Sequence, residues 1–296
     1  MKWEYLREEE FEGAIKRSGG LCVMCLGCLE KHGQHLPVGT DSLKGDKIVE
    51  LAAEKADVVM FPTTMWLGDI LASHSMDDPK SLNKRGFIGM NPHTLLTVLE
   101  ELCDEIARNG FTKILLCNSH GGNTGLLTYF MRAQCYKKKG YATMFCRAYD
   151  FAKQLAPANM LEMAKKDPEY FSMLTDEDLK VLERFSSPDV SFGHGCFKET
   201  MLVYGTYPEL VAPERFEAEN GISNHRADYL TELGVNFGYT WISNYPDSYA
   251  GTAPVGCSKT IGEAAVKLSV DRLADIFTAI KNDEECVKMA KEGKPC

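Results

Sequence analysis

Residues 21–41 read Leu-Cys-Val-Met-Cys-Leu-Gly-Cys-Leu-Glu-Lys-His-Gly-Gln-His-Leu-Pro-Val-Gly-Thr-Asp. The first part of this stretch is a short apolar run that ends at glycine, which is typical of a buried β-strand, and we predict a strand over Cys22–Gly27. The second part is polar and holds Glu30, His32 and Asp41. A buried strand that leads directly into acidic and imidazole side chains is expected at the carboxyl edge of a sheet.

Further apolar runs and amphipathic segments alternate along the first half of the chain. The predicted strands are Asp57–Pro62, Lys113–Asn118 and Ala142–Arg147, and the predicted helices are Ser42–Lys55, Pro92–Arg108 and Thr124–Lys138. Such alternation predicts a mainly parallel sheet with helices on both faces, which is an α/β fold in three α-β-α layers. Ligands of such sheets bind beyond the carboxyl ends of the strands.

Cap signals mark three helix starts. Asn91 precedes a proline at the first helical position, and Thr175 and Thr260 begin segments that resemble capping boxes. Residues 204–259 are rich in Gly, Pro, Asn and aromatic side chains, and we expect long loops with short strands there. Since no repeat or linker divides the chain, we expect one elaborated α/β domain over residues 1–296.

Composition excludes several classes of protein. The 296 residues (33.0 kDa) are 44% apolar and 25% charged, which excludes disorder and fibres. The net charge is −9, whereas phosphate binding requires clustered Lys and Arg, so we expect neither a nucleic-acid nor a membrane partner. No apolar run approaches the ~18 residues of a transmembrane helix, and the acidic N-terminal residues do not resemble a signal peptide. We therefore expect a cytoplasmic protein.

Eleven cysteines in a chain without a targeting segment are expected to be reduced thiols. Cys22, Cys25 and Cys28 lie at three-residue spacing, and one alternative is an iron–sulfur redox module built on them, which would give a brown protein. In the predicted strand, however, Cys22 and Cys25 face opposite sides of the sheet, and no fourth cysteine followed by proline completes a ferredoxin pattern. We therefore expect these cysteines to be core residues.

The polar stretch after the first strand is the first candidate for chemistry. In an extended backbone Glu30 and His32 project from one face, and the glycines and proline after them allow the chain to return, so that Asp41 can join them. Carboxylates and an imidazole in one set suit Zn²⁺, Mn²⁺ or Fe²⁺. This segment therefore predicts part of a metal site.

Two later segments add candidates. His120 follows the strand Lys113–Asn118 and so lies at the same sheet edge as the first segment. Two glycines after it permit close backbone approach, and we expect Asn123 to cap the next helix. The third segment supplies His194 and Glu199 ahead of a predicted helix. We expect all three segments to meet in one site.

These segments resemble the motifs of the creatininase family of metal-dependent amidohydrolases. Family members read Glu-Gln-His-Gly-Pro-His-Leu-Pro-x-Gly-Thr-Asp after their first strand, and this chain differs from that motif at Lys31 and Gln34. The family's Asn-Gly-His-Gly-Gly-Asn is similar to residues 118–123, and its His-Ala-Gly-x-x-Glu-Thr is similar to residues 194–200. The resemblance implies a creatininase-like fold.

The resemblance also implies a cofactor of two divalent ions side by side: zinc, manganese or iron. Among the implied ligands, Asp41 bridges both ions, Glu30 and His120 hold the first, and His32 holds the second. Where the family has a further carboxylate this chain has Gly122, and Glu199 is the candidate replacement.

The implied reaction is hydrolysis of an amide or related cyclic bond in a small polar molecule, by a hydroxide that bridges the metal ions. We expect His194 to be the general acid, because the unperturbed pKa of histidine is near neutral. His74 corresponds to a family histidine and is a candidate pocket residue. The resemblance further implies homo-oligomers, commonly hexamers.

One other class of enzyme stays open. A ring-opening hydrolase or isomerase could act on an inosose-like cyclic ketone with a single Lewis-acid metal ion. The missing carboxylate at Gly122 favours this alternative, because a weaker second site can stay empty. The number of metal ions per chain distinguishes the two classes.

Overall fold

A computed structural model describes residues 1–70, 86–136, 138–149 and 154–293. At the centre of this part of the chain lies a parallel sheet of four strands in the order β2-β1-β3-β4. The strands are β1 (Leu21–Leu26), β2 (Val59–Met60), β3 (Lys113–Asn118) and β4 (Ala142–Arg147). The predicted parallel sheet is confirmed. Strand β2 is shorter than predicted, because only two of its residues pair with β1.

The described residues also form eleven α-helices. They are α1 (Phe11–Arg17), α2 (Thr40–Ala56), α3 (Pro92–Arg108), α4 (Asn123–Gln134), α5 (Pro157–Lys166), α6 (Asp176–Arg184), α7 (Phe197–Thr206), α8 (Asp228–Glu232), α9 (Thr240–Asn244), α10 (Lys259–Lys281) and α11 (Glu285–Glu292). The part of the chain that the structure describes also has four short 3₁₀ helices, at Trp3–Tyr5, Glu8–Glu10, Pro208–Leu210 and Pro213–Arg215. Within the described residues, no helix combines the length and apolar character needed to cross a membrane.

The sheet separates two hydrophobic cores, as the alternation of β1 requires. Val23 and Cys25 point into one core with side chains of α2, α7 and α10. Cys22 and Met24 point into the other core with side chains of α3 and α4. The three-layer α-β-α prediction is thereby confirmed. Since Cys22 and Cys25 lie on opposite faces of the sheet, they cannot share an iron–sulfur cluster.

Two glycines let α7 pack closely against α10. A Cβ atom on Gly205 would lie 2.2 Å from the carbonyl oxygen of Gly262, and a Cβ on Gly262 would lie 2.4 Å from the amide nitrogen of Gly205. Only residues without a side chain allow the two backbones to approach this closely. The contact fixes the position of α7, whose first turn carries Glu199.

Two of the expected helix caps are present and two are not. The amide of His93 donates to the side chain of Asn91 (2.9 Å), and Thr175 forms its capping box. Helix α10 begins one residue before Thr260, because Ser258 has extended backbone and its hydroxyl accepts from the Ile261 amide (3.2 Å). Asn123 does not cap α4 either, since it is the first helical residue.

Two further predictions were wrong, one about a helix end and one about the structure of a segment. Helix α4 ends at Gln134 rather than at Lys138, because the amides of Cys135 and Tyr136 donate to carbonyls three residues back, which tightens and ends the helix. In residues 204–259 the described structure consists of short helices, 3₁₀ turns and loops rather than short strands. The exception is an isolated antiparallel bridge from Phe192 to Gly251.

Candidate metal centre

The loop after β1 returns on itself and brings its two ends together. The Glu30 amide donates to the Val38 carbonyl (3.0 Å), and the Thr40 amide donates to the Pro37 carbonyl (3.1 Å). Helix α2 begins at once, so Asp41 stands in its first turn beside the start of the loop. The return of the chain that the glycines and proline predicted is therefore present.

Asp41 occupies the middle of a buried cluster. Its Oδ2 atom lies 3.3 Å from Nε2 of His32 and 3.0 Å from Nδ1 of His120. The Oε1 atom of Glu30 lies 3.2 Å from the same His120 nitrogen. The register of the two strands brings these residues together. Strands β1 and β3 pair along their whole length, with Leu26 opposite Asn118, so the loops that follow them begin at the same edge of the sheet.

Each of three imidazole rings has one nitrogen held by a backbone carbonyl. The pairs are His32 Nδ1 with Glu30 O (3.1 Å), His120 Nε2 with Asp69 O (2.8 Å) and His194 Nε2 with Lys31 O (2.7 Å). A carbonyl only accepts hydrogen bonds, so in the neutral ring that nitrogen carries the hydrogen. The other nitrogen then presents its lone pair to the cluster. This arrangement is typical of histidines that bind metal ions.

Lone pairs that face carboxylates need a cation between them. Among the described residues, neither Oε1 of Glu30 nor Nε2 of His32 has a hydrogen-bond partner, although both atoms are buried. Unpaired buried polar groups are costly, and buried carboxylates more so. The residues present therefore fit a divalent metal ion, for which imidazole nitrogen and carboxylate oxygen are ordinary ligands.

The pKa values of the cluster also favour positive charge at this position. Burial opposes the charged form of His32, but the carboxylate of Asp41 outweighs it and raises the pKa of His32 to about 9. Burial also opposes the charged form of His120, but the hydrogen bond to Asp41 has the larger effect and holds the pKa of His120 well above its ordinary value. The pKa of Asp41 is held well below its ordinary value, since the nearby cations outweigh its burial. Without a metal ion, protons supply the missing charge.

Glu199 and a lysine complete the cluster. Oε1 of Glu199 lies 3.7 Å from Nε2 of His32, while its Oε2 accepts from the Gly195 amide (2.6 Å). The ammonium of Lys44 donates to Oδ1 of Asp41 and to Oε1 of Glu199, the latter at 3.0 Å. Sequence reasoning missed Lys44, although it lies one helical turn after Asp41 on the buried face of α2.

Cys28 was also missed. We expected it to be a core residue, and it is fully buried, but its thiol donates to Oδ2 of Asp41 (3.2 Å). Burial raises the pKa of Cys28, so it stays a thiol. A signal was present in the sequence, because Cys28, Glu30 and His32 alternate and so share one face of an extended chain.

The predicted metal ligands and His194 all meet in this cluster. Three sets of described residues each bring possible ligand atoms within 4.8 Å of one another. The first set is Cys28, Glu30, Asp41 and His120, the second is Glu30, His32 and His194, and the third is His32, Asp41 and Glu199. His35 points elsewhere and bonds to the hydroxyl of Thr200 (3.0 Å), so it braces the loop against α7. His74 lies outside the described residues.

A cavity of about 660 Å³ opens over the cluster. Its walls include Gly121, Gly122, Phe192, His194, Lys198 and Trp241. Trp241 meets the ring of His194 edge to face, with 5.3 Å between ring centres. Asn123 lies beneath the cavity and connects two loops. Its side chain accepts a hydrogen bond from the Asp69 amide (2.7 Å) and donates one to the Gly27 carbonyl (3.2 Å). It thereby holds the peptide segment whose carbonyl orients His120.

Comparison with known proteins agrees with the motifs. The model of the creatininase family, described as creatinine amidohydrolase, matches residues 4–277. A creatinine amidohydrolase of Pseudomonas putida is 24% identical over 217 residues, which cover 70% of this chain and 72% of that protein.

Solved structures show the same fold. A creatinine amidohydrolase (creatininase) structure has a TM-score of 0.64 at 19% identity and covers 95% of this chain and 98% of its own. A manganese form of creatininase has a TM-score of 0.64 at 18% identity and covers 95% and 99%. Because the family model matches nearly the whole length, this chain belongs to the creatininase family of metal-dependent amidohydrolases.

Proposed function

We propose that this protein hydrolyses an amide or related cyclic bond in a small polar molecule. The metal ligands proposed are Glu30, His32, Asp41, His120 and Glu199. One observation carries the proposal: Nε2 of His32 and Nδ1 of His120 both face Oδ2 of Asp41, a residue that lines the cavity. Zinc, manganese and iron all suit this donor set.

A divalent ion held by these residues would lower the pKa of bound water and polarise a carbonyl group. The protein's own part is to orient the ligands. Backbone carbonyls fix the His32 and His120 rings, while the thiol of Cys28 fixes one oxygen of Asp41. Ligands held in this way need little rearrangement when the ion enters.

His194 is the proposed proton carrier. Its Nε2 hydrogen is engaged by the Lys31 carbonyl, so its Nδ1 faces the cavity as an acceptor, 3.6 Å from Oε1 of Glu30. Burial, followed by the charge of His32, lowers the pKa of His194, so the ring is neutral at neutral pH. We therefore propose that His194 first takes a proton from water and then donates it to the leaving nitrogen, which adds a base step to the acid role expected from sequence.

The start of α4 is the proposed site for the developing oxyanion. Gly121 and Gly122 line the cavity just before the helix begins at Asn123. Amide groups and the positive end of the helix dipole favour negative charge at this position. The aromatic walls, Phe192 and Trp241, suit a small flat ring above it.

A second candidate is a ring-opening hydrolase or isomerase that acts on an inosose-like cyclic ketone with one Lewis-acid ion. Gly122 favours it, because a Cβ atom at this position would lie 2.3 Å from Nε2 of His120. No side chain at position 122 can therefore add a carboxylate while His120 keeps its place. The cluster therefore lacks the carboxylate that the resemblance places at this position.

The test is a substrate screen with purified protein loaded with Mn²⁺ or Zn²⁺. Creatinine and other cyclic amides, formamides and inosose-like ketones are each offered, and products are followed by mass spectrometry. We expect a carbon–nitrogen bond to be cleaved and His194→Gln to lower kcat at unchanged metal content. Turnover of ketones alone would support the second candidate, and a protein that binds no divalent metal would contradict both.

We further propose a cytoplasmic homo-oligomer. The support is a set of exposed apolar side chains close together in sequence: Ile222, Tyr229, Leu233, Val235, Phe237 and Tyr239. Large contiguous patches of exposed apolar side chains mark protein–protein interaction sites. Light scattering after gel filtration gives the mass in solution, and a monomer would contradict the proposal.

A further inference from the structure

A lysine without solvent exposure stands inside the candidate metal centre. Lys44 is 0% exposed, and its ammonium lies beside carboxylates that are among the proposed ligands. Lysine is almost never fully buried unless it is paired. Its position therefore requires an explanation in terms of the charges around it.

The surroundings of Lys44 are those of a bound cation. Its Nζ atom contacts Oδ1 of Asp41 and Oε1 of Glu199, and it lies 5.1 Å from the centre of the Tyr149 ring. Two carboxylates and an aromatic face are all attractive to positive charge. The ammonium thus occupies the side of the cluster that faces Glu199.

The two glutamates of the cluster differ in the hydrogen bonds that their oxygens accept. Both oxygens of Glu199 accept hydrogen bonds from the protein, one from Lys44 and one from the Gly195 amide. Oε1 of Glu30 has no hydrogen-bond partner among the described residues. An entering ion therefore finds an available carboxylate oxygen at Glu30, whereas at Glu199 it must compete with a resident ammonium.

Charge leads to the same conclusion. The cluster holds three carboxylates, those of Glu30, Asp41 and Glu199, and the single ammonium of Lys44. Together these groups leave two negative charges, which one divalent ion neutralises. A second divalent ion would place two uncompensated positive charges in a buried site, and buried unpaired charge is strongly unfavourable.

We propose that Lys44 takes the place of a second metal cation. The centre then binds one divalent ion, on the side formed by Glu30, Asp41 and His120, and the ammonium neutralises the side formed by Asp41 and Glu199. This inference rests on the proposed metal-dependent function and specifies its metal count. It departs from the pair of ions that the family resemblance implies, and it leaves Glu199 paired with Lys44 rather than with the metal. By this count it favours the single-ion candidate over the first.

The experiment counts bound ions. Full-length protein is freed of metal with a chelator, titrated calorimetrically with Mn²⁺ alone, and analysed for metal after gel filtration. Electron paramagnetic resonance then shows whether the bound Mn²⁺ is isolated or spin-coupled to a neighbour. We expect one isolated ion per wild-type chain, and two coupled ions per chain in Lys44→Met, in which both carboxylates are released.

Lys47→Met is the matched control. Lys47 lies on the same helix but is half-buried and pairs with Glu50 outside the centre, so this variant is expected to keep one ion. Two coupled ions in the wild type would overturn the inference, as would a folded Lys44→Met that still binds one. If Lys44→Met does not fold, the wild-type count and spectrum decide. No bound ion in the wild type would refute the metal-dependent function itself.

Discussion

Nδ1 of His120 lies 3.0 Å from Oδ2 of Asp41, although 79 positions separate the two residues in the chain. The contact joins the end of β3 to the first turn of α2. It depends on the parallel register of β1 with β3 and on the return of the loop that starts at Glu30. The candidate metal centre is thus a direct product of the sheet topology.

Replacing His120 should remove metal and activity together. In His120→Ala, Glu30 and Asp41 lose the ligand between them, and we expect metal affinity to fall by more than about 100-fold, beyond the loss typical of outer-sphere changes. Calorimetric titration with Mn²⁺ measures it. His93→Ala is the control, because His93 is exposed in the first turn of α3. A His120→Ala protein with full metal content and full turnover would contradict the assignment.

Metal binding should release protons and weaken as the pH falls. The pKa of His32 is raised to about 9, and that of His120 lies well above its ordinary value, so both rings are protonated at neutral pH when no metal is bound. The ion must displace these protons, and each displaced proton lowers the affinity about tenfold per pH unit of acidification. Calorimetry in buffers of different ionisation enthalpy counts the protons released. Binding without proton release would contradict the prediction.

Gly122→Ala should disturb the centre through one methyl group. The added Cβ would lie 2.3 Å from Nε2 of His120 and 2.8 Å from the Asp69 carbonyl, so it would break the hydrogen bond that orients the ring. We expect metal affinity to fall by roughly 10–100-fold, as for other losses of an orienting partner.

Gly125→Ala is the control for that substitution. A Cβ on Gly125 meets nothing within 4 Å, and alanine is favoured over glycine in a helix by about 1 kcal/mol. This variant should bind metal normally and unfold at a slightly higher temperature. Equal metal affinity in Gly122→Ala and Gly125→Ala would show that close packing at position 122 does not orient His120.

His35 should make the protein sensitive to acid. Burial lowers the pKa of His35 to about 4, so between its ordinary value of 6.5 and about 4 the unfolded chain binds more protons than the folded one. The free energy of unfolding therefore falls as pH falls through this window, by about 2 kcal/mol from about pH 7.5 to about pH 5. His35→Gln removes that contribution. Urea unfolding at both pH values tests it, and an unchanged difference between them would contradict the assignment.

The sequence predicted those parts of the fold that depend on local signals. Strand Lys113–Asn118 and helix Pro92–Arg108 have the predicted bounds, because a continuous apolar run marks the first and the Asn91 cap with its following proline marks the second. Thr260 shows the limit of such signals. Ser258 is an equally good cap two residues earlier, and only the backbone conformation decides between them.

Tertiary contacts account for what the sequence did not predict. The helical pattern places Lys44 on the same face of α2 as Asp41. It does not show that Glu199, 155 positions away, meets the ammonium there. Residues 204–259 lack a periodic pattern, and their path depends on contacts with other parts of the chain, such as the amide of Ala212, which donates to the His35 carbonyl (2.9 Å).

Anomalous X-ray diffraction from crystals of the manganese-loaded protein tests the central claim most directly. The account predicts an anomalous peak within coordination distance of Oδ2 of Asp41 and Nδ1 of His120, next to Oε1 of Glu30. Strong peaks elsewhere, with none beside Asp41 in a protein shown to hold manganese, would contradict it.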